Sequence, residues 1–224
     1  MLRVEFHCHT SSSKDCLTSL RTLVAAARRR GLDRLVVTDH NTIAGAAAAY
    51  TLDPDLVIVG EEIMTTRGEL LAAFVTQEIP AGLPPQQTIE LLRAQGAFIS
   101  VSHPFDSARK GAWRMEDLQQ LVPLVDAIEV FNSRCMLPHA NDKALAFAHQ
   151  YRLAGTVGSD AHTTWEVGRS VLSLEPFSDA DGLRSVIRRG VPEMHASPAW
   201  IHLTSRYARL RKSLGIGLDM PRRT

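Results

Sequence analysis

Five short motifs hold residue types that bind and polarise: His7-Cys8-His9 with Asp15 in the next loop, Thr38-Asp39-His40, Gly60-Glu61-Glu62, Ser102-His103-Pro104, and Gly158-Ser159-Asp160-Ala161-His162. Five of the nine histidines lie in these motifs. In an extended chain residues i and i+2 point the same way, so His7 and His9 present two imidazoles together and Cys8 faces the opposite side. The same alternation lets only one of Glu61 and Glu62 point inward. Several imidazoles and carboxylates in one cleft are costly without cations. Mixed nitrogen and oxygen donors suit Zn²⁺, Mn²⁺ or Fe²⁺. The chemistry to expect is a multinuclear divalent-metal site.

Each motif sits at the end of a predicted strand. Leu2–Phe6 alternates like a strand, and Leu35–Thr38, Leu56–Val59, Leu70–Val75, Ala97–Val101, Ala127–Phe131, Ala154–Val157 and Val171–Leu174 are further apolar runs. Between them lie helical patterns. Leu20, Leu23, Val24 and Ala27 make a stripe that Gly31 ends, Asn41 or Thr42 caps an Ala-rich run reaching Tyr50, and Pro84-Pro85 opens a helix to about Gln95. Asn141–Tyr151 is helical, and Asp179 caps a helix carrying Leu183, Val186 and Ile187. Strand–helix alternation of this kind predicts a parallel α/β fold, barrel or open sheet, with the strand C-termini converging on one functional face. The chain lacks a large insertion that could cap such a face, unless residues 104–124 form a small lid. Trp200, Leu203, Tyr207, Leu210 and Leu214 are spaced as an amphipathic helix that packs on the body, with a frayed end at Met220–Thr224.

In order and spacing, the five motifs resemble the PHP (polymerase and histidinol phosphatase) family, over residues 4 to about 174. The resemblance implies an α/β fold, a distorted (β/α)7 barrel, with two or three metals at the strand C-termini. The body would span residues 1–195, and residues 196–224 would form a C-terminal helix and basic tail. It implies that His7, His9, Glu62 and Asp160 hold one metal, and Asp15, His40 and His162 another. Glu62 would bridge to a third, held with His103; it is chosen over Glu61 because Ile63 follows it as an apolar residue follows the family's bridging Glu. The catalytic set so implied is Glu62, His103, Asp160 and His162, and the reaction is phosphoester hydrolysis by a metal-activated hydroxide. The departure is at the third metal. Many members place another His after the strand matching Ala127–Phe131, whereas this chain offers Cys135 and, further on, His139. For gripping phosphate, Arg134 stands near the predicted face, and Arg109 and Lys110 lie in the loop after His103.

Composition bounds the partners. The chain has 224 residues, 45% hydrophobic and 22% charged, with a net charge of +1, values of an ordinary globular protein. No run of 18 apolar residues and no apolar leader are expected from the sequence, and three cysteines make no disulfide framework, so a cytoplasmic location is expected. Residues 204–224 carry six Arg or Lys and one Asp, a net of +5. That keeps a nucleic-acid end, or a nuclease on single strands, as an alternative to a small-molecule or nucleotide phosphoester. Aromatic residues are only 6%, and no stacking platform accompanies the motifs. A metal-stabilised binding module without turnover is the other alternative. A shared Glu argues against it, because structural sites close with four protein ligands.

Overall fold

The computed structural model describes residues 1–137 and 139–216. Strands β1 (Leu2–Cys8), β2 (Arg34–Val37), β3 (Val57–Met64), β4 (Glu69–Ala73), β5 (Phe98–Val101), β6 (Ala127–Asn132) and β7 (Ala154–Gly158) follow one another round a sheet in the order β7-β6-β5-β4-β3-β2-β1. The sheet nearly closes into a barrel. Beyond β7 the chain returns to β1: Ala161 bridges to Cys8, and the His9 N–H donates to the Ala161 carbonyl at 2.9 Å. The other end of β1, Leu2–Val4, pairs instead with β8 (Ser170–Leu174), which β9 (Val191–Met194) extends.

Helices α1 (Leu20–Arg29), α2 (Ala44–Leu52), α3 (Pro85–Ala94), α4 (Met115–Leu121), α5 (Ala140–Tyr151) and α6 (Ala180–Val186) accompany the strands, and α7 (His202–Ser213) follows them. Leu23, Ala26 and Ala27 of α1 bury their stripe with Ala46 and Ala49 of α2 against Leu35 and Val37. Ile89 and Leu92 of α3 pack with Ile63, Leu70 and Ile99. Gly31, at φ +68°, follows the C-terminus of α1, and the Asp179 carboxylate accepts from Gly182 N–H at the start of α6. Among the described residues no helix is long and apolar enough to cross a membrane.

Four expectations change. The sheet is not all parallel, because β4 runs antiparallel to both β3 and β5, and β8 antiparallel to β1. The cause is the short turn Thr65–Gly68, whose Thr65 hydroxyl donates to the Gly68 carbonyl at 2.7 Å; so few residues make a hairpin and leave no crossover helix. Second, β3 does not stop at Val59 but runs through Glu61 and Glu62 to Met64. Third, neither Asn41 nor Thr42 is the N-cap of α2. Ile43 is, and Asn41, at φ +53°, accepts through Oδ1 from Met64 N–H at 2.8 Å.

The fourth concerns α7. Its apolar stripe does not pack on the body: Leu203, Tyr207, Leu210 and Leu214 are 59–62% exposed, and Trp200 before them 57%. Ser205 and Ala208 are buried instead, on the same face as Arg209 and Lys212. Hydrogen bonds from Arg134 and Lys212 and the Arg209–Asp15 ion pair hold the polar face against the body. The expected frayed end, Met220–Thr224, lies outside the described residues.

Candidate metal centre

The C-terminal ends of β1 and β7, the far half of β3 and the start of β4 meet at one end of the barrel. Alternation along β1 sends Glu5 and His7 inward, with His9 following, and sends Cys8 among Leu23, Leu35 and Val37, where its thiol donates to the Val36 carbonyl. His7 Nε2 lies 3.4 Å from Glu62 Oε2 and 3.6 Å from Asp160 Oδ1. His9 Nε2 lies 3.5 Å and 3.2 Å from the same two oxygens. His40 Nε2 is 3.5 Å from Asp15 Oδ2, and His162 Nε2 is 3.4 Å from Asp15 Oδ1. His103 Nε2 is 3.1 Å from Glu62 Oε1. Glu62 therefore reaches all three groups, its Oε2 also lying 2.9 Å from His40 Nδ1.

These groups suit cations better than each other. His7 Nε2, His9 Nε2, Asp15 Oδ1 and Glu62 Oε2 are buried and lack a hydrogen-bond partner. Buried polar atoms are nearly always satisfied, so orphans converging on one point mark a ligand position. Three sets of donor atoms lie within 4.8 Å of one another: His7, His9 and Glu62; His9, His40 and His162; His40, Glu62 and Glu69. The donor set therefore fits divalent metals.

The electrostatics agree. Burial pushes His9 down to about 4, helped by His162 and His40. Burial alone would also lower His7, but Glu62, Asp160 and Glu129 hold it well above its usual range. Burial would raise Asp160 and Glu62; Arg109 and His7 hold the first well below the usual carboxylate range, and His7 and His40 the second. Without metal, His7 and His40 are the imidazoles held in the charged form by the surrounding carboxylates, whereas burial keeps His9 and His162 neutral.

A second layer fixes the donors. Glu129 Oε1 accepts His7 Nδ1 at 3.0 Å, and its Oε2 accepts His103 N–H at 2.8 Å. Asp39 accepts from Thr10 N–H and Ser13 hydroxyl, and Ser13 Oγ is 3.2 Å from His9 Nδ1. Glu5 accepts Ser159 N–H at 2.8 Å and Ser159 hydroxyl at 2.6 Å, tying β1 to the loop before Asp160. Asp160 itself takes a left-handed φ of +53°, a strain that this bracing sustains. Gly158 is required where it stands, since a Cβ there would lie 2.5 Å from Glu129 Oε1 and from His7 Cβ.

Other residues singled out by the sequence lie elsewhere. Glu61 points away, accepting Ile79 N–H at 3.0 Å. Arg109 is drawn in over the centre, its guanidinium on Asp160 and on the Arg134 carbonyl at 2.8 Å, with Asp106 3.1 Å away. Arg134 is 3% exposed; it pairs with Glu166 at 2.7 Å and donates to Ser205 Oγ and the Ile201 carbonyl. Lys110 is exposed. Cys135 belongs to none of the donor sets, and burial pushes its thiol up to about 12. His139 is exposed beside Asp142.

Sequence reasoning missed Glu69, 3.4 Å from His103 Nε2 and 3.9 Å from His40 Nδ1. It also missed Glu129 and Arg209; the latter, on α7, donates to Asp15 Oδ2 at 2.9 Å. A lone Glu in the apolar strand Ala127–Phe131 is a signal that would have found Glu129. Recognising the Thr65–Gly68 hairpin would have found Glu69.

Known proteins resemble this chain in sequence or in fold. An uncharacterized protein of Methanocaldococcus jannaschii is 34% identical over 180 residues, covering 79% of this chain and 72% of its own. The crystal structure of PsfC from Pseudomonas syringae superposes with a TM-score of 0.69 at 22% identity, covering 96% of this chain and all of that one. A two-domain protein from Bacteroides vulgatus, described as containing a predicted PHP-like metal-dependent phosphoesterase, gives 0.68 at 21% identity; the match covers 87% of this chain and 65% of that one. The PHP domain pattern matches residues 5–75, and that of the PHP-associated region matches residues 138–192. With both patterns on the segments that carry β1–β4 and β7–β8, the chain belongs to the PHP family.

Proposed function

We propose that the chain hydrolyses a phosphoester, a small phosphomonoester or nucleotide, at a di- or trinuclear metal site. The observation that carries this reading is the set of orphaned buried donors converging around one shared carboxylate, Glu62. His7, His9, Glu62 and Asp160 would hold one ion, and Asp15, His40 and His162 a second. Glu62 and His103 would hold a third, and Glu69, 3.4 Å from His103, would join them in place of the Cys135 or His139 that the sequence offered. Divalent ions in such a site supply a water that ionises near neutral pH and neutralise the phosphoryl oxygens. The mixed donor set suits Mn²⁺, Zn²⁺ or Fe²⁺.

The chain's own residues then orient and brace. Glu129 fixes the His7 tautomer by accepting its Nδ1 proton. Ser102 donates to Glu62 Oε1 at 2.8 Å and so sets the carboxylate's rotation. Arg109 braces Asp160, its charge already shared between Asp160 and Asp106. Arg134 is committed to Glu166, which leaves it an anchor and not the phosphate grip expected from sequence.

The test is elemental analysis of bound metal, then a panel of phosphomonoesters, nucleotides and short oligonucleotides with Mn²⁺ on the same sample. Two or three metals per chain with turnover support the reading. Metals without any turnover overturn it in favour of a binding module. A preference for oligonucleotides with steep salt dependence moves it to a nuclease.

A further inference from the structure

The polar face of α7 lies on the metal centre, although the matched family regions end at residue 192. Arg134 locks the start of the helix through Ser205 and the Ile201 carbonyl. Lys212 locks its end, donating to the carbonyls of Ser11, at 2.6 Å, and Ser13. Between these anchors Arg209 reaches Asp15, and among the described residues that is its one ion pair. Arg109 and Arg134 are each consumed by buried carboxylates, so Arg209 is the cation beside the donor set with donors to spare.

The same helix lines, through Thr204, Tyr207 and Ala208, a cleft of about 350 Å³, in the size range of small-molecule sites; Ala208 precedes Arg209 in the chain. Its inner end is His162, and its walls include Thr22, Thr163, Thr204 and the Tyr207 ring. The Thr163 hydroxyl donates to Glu166, which leaves its oxygen free to accept, whereas the Thr204 hydroxyl donates to the Ile201 carbonyl and already accepts from Arg134 at 3.4 Å. Such a wall accepts hydroxyl or amino donors and offers one flat face for stacking.

We propose that α7 is the substrate-recognition wall of this site: Arg209 grips the phosphate, and the cleft beside it takes a nucleoside, with Tyr207 against the base. This rests on the phosphoesterase reading for its chemistry, but binding alone can test it. Isothermal titration of the metal-loaded chain with inorganic phosphate, and with adenosine 5′-monophosphate, is read together with the metal content of each sample.

Arg209→Ala is expected to raise the Kd for phosphate about tenfold or more with the metal count unchanged, as loss of a charge-assisted bond does. Arg209→Lys recovers part of the loss, and Arg206→Ala, which removes an exposed charge from the same helix, leaves Kd as it was. Tyr207→Ala is expected to raise the Kd for the nucleotide about fivefold to a hundredfold and leave that for phosphate alone. A phosphate Kd unchanged in Arg209→Ala, or weakened only because metal is lost, overturns the role of Arg209. A nucleotide Kd unchanged in Tyr207→Ala overturns the cleft. If the wild-type chain binds as expected yet hydrolyses no ester, the phosphoesterase reading fails and this one stands. If it hydrolyses esters and the variants match it, this one fails alone.

Discussion

Glu129 Oε1 lies 3.0 Å from His7 Nδ1, on the side of the ring opposite the Nε2 that faces Glu62 and Asp160. A carboxylate behind an imidazole fixes which nitrogen carries the proton and raises the basicity of the other. Glu129→Gln keeps the shape and removes the charge. The expected outcome is a metal affinity lower by about 10–100-fold, with the fold intact. Competition against a chelator, with circular dichroism on the same sample, checks both halves. Unchanged affinity would detach Glu129 from the centre.

Glu61 and Glu62 are neighbours on β3 with opposite duties, and pH separates them. Glu61 is buried, and burial pushes its carboxyl from 4.5 up to about 7. A raised folded-state pKa means that the stability it brings is complete below about 4.5 and is lost as pH rises through about 7. Glu61→Gln removes that pH-dependent loss. The variant should therefore exceed wild type at pH 8, by on the order of 1–3 kcal/mol, and approach it near pH 5. Denaturant melts at the two pH values measure this. Metal content and turnover should not change, whereas Glu62→Gln should lose both.

How much was legible follows from what each residue's signal depends on. His7 and His9 were readable because a two-residue spacing at a strand end fixes direction by itself. Glu69 was not, because its place depends on β4 reversing direction after Thr65–Gly68, and reading Leu70–Val75 as one more parallel strand puts its start at the far end of the barrel. Arg109 and Arg134 were seen as cations near the right face, but which one pairs inward depends on Asp160, Asp106 and Glu166, all distant in sequence. The α7 stripe had the right periodicity and the wrong direction. Period names an amphipathic helix, and only the partners of Ser205, Arg209 and Lys212 decide which face goes in.

Removing metal should destabilise the chain as well as silence it. Asp15, Glu62, Glu69 and Asp160 then share one buried space with only imidazoles and two arginines to offset them. Any ligand that binds the folded state alone stabilises it by mass action, by about 2.7 kcal/mol at a hundredfold excess over Kd. Chelation is expected to lower Tm by several degrees, and Mn²⁺ in excess to restore it. Hydrogen exchange should locate the loosening at residues 9–18 and 159–163, which carry donors on loops, and not at β2 or β5. A Tm indifferent to chelator would mean that no metal is bound there.

The buried pair Arg134–Glu166 joins the loop of the centre to the C-terminal helix. Glu166 accepts from His162 N–H at 3.1 Å and Thr163 N–H at 3.0 Å, and Arg134 carries the link on to Ser205 and the Ile201 carbonyl. Arg134→Ala leaves the Glu166 charge buried without its partner and frees α7 at its N-terminal end. Breaking such a pair costs about 3–5 kcal/mol. Replacing both partners, Arg134→Met with Glu166→Gln, removes the stranded charge and should recover part of the loss while still freeing the helix. Denaturant melts should therefore rank wild type above the double variant and the double variant above Arg134→Ala. Limited proteolysis should cut both variants between residues 195 and 202 faster than wild type. A double variant as stable and as resistant as wild type would show that α7 is held by Lys212 and Arg209 alone.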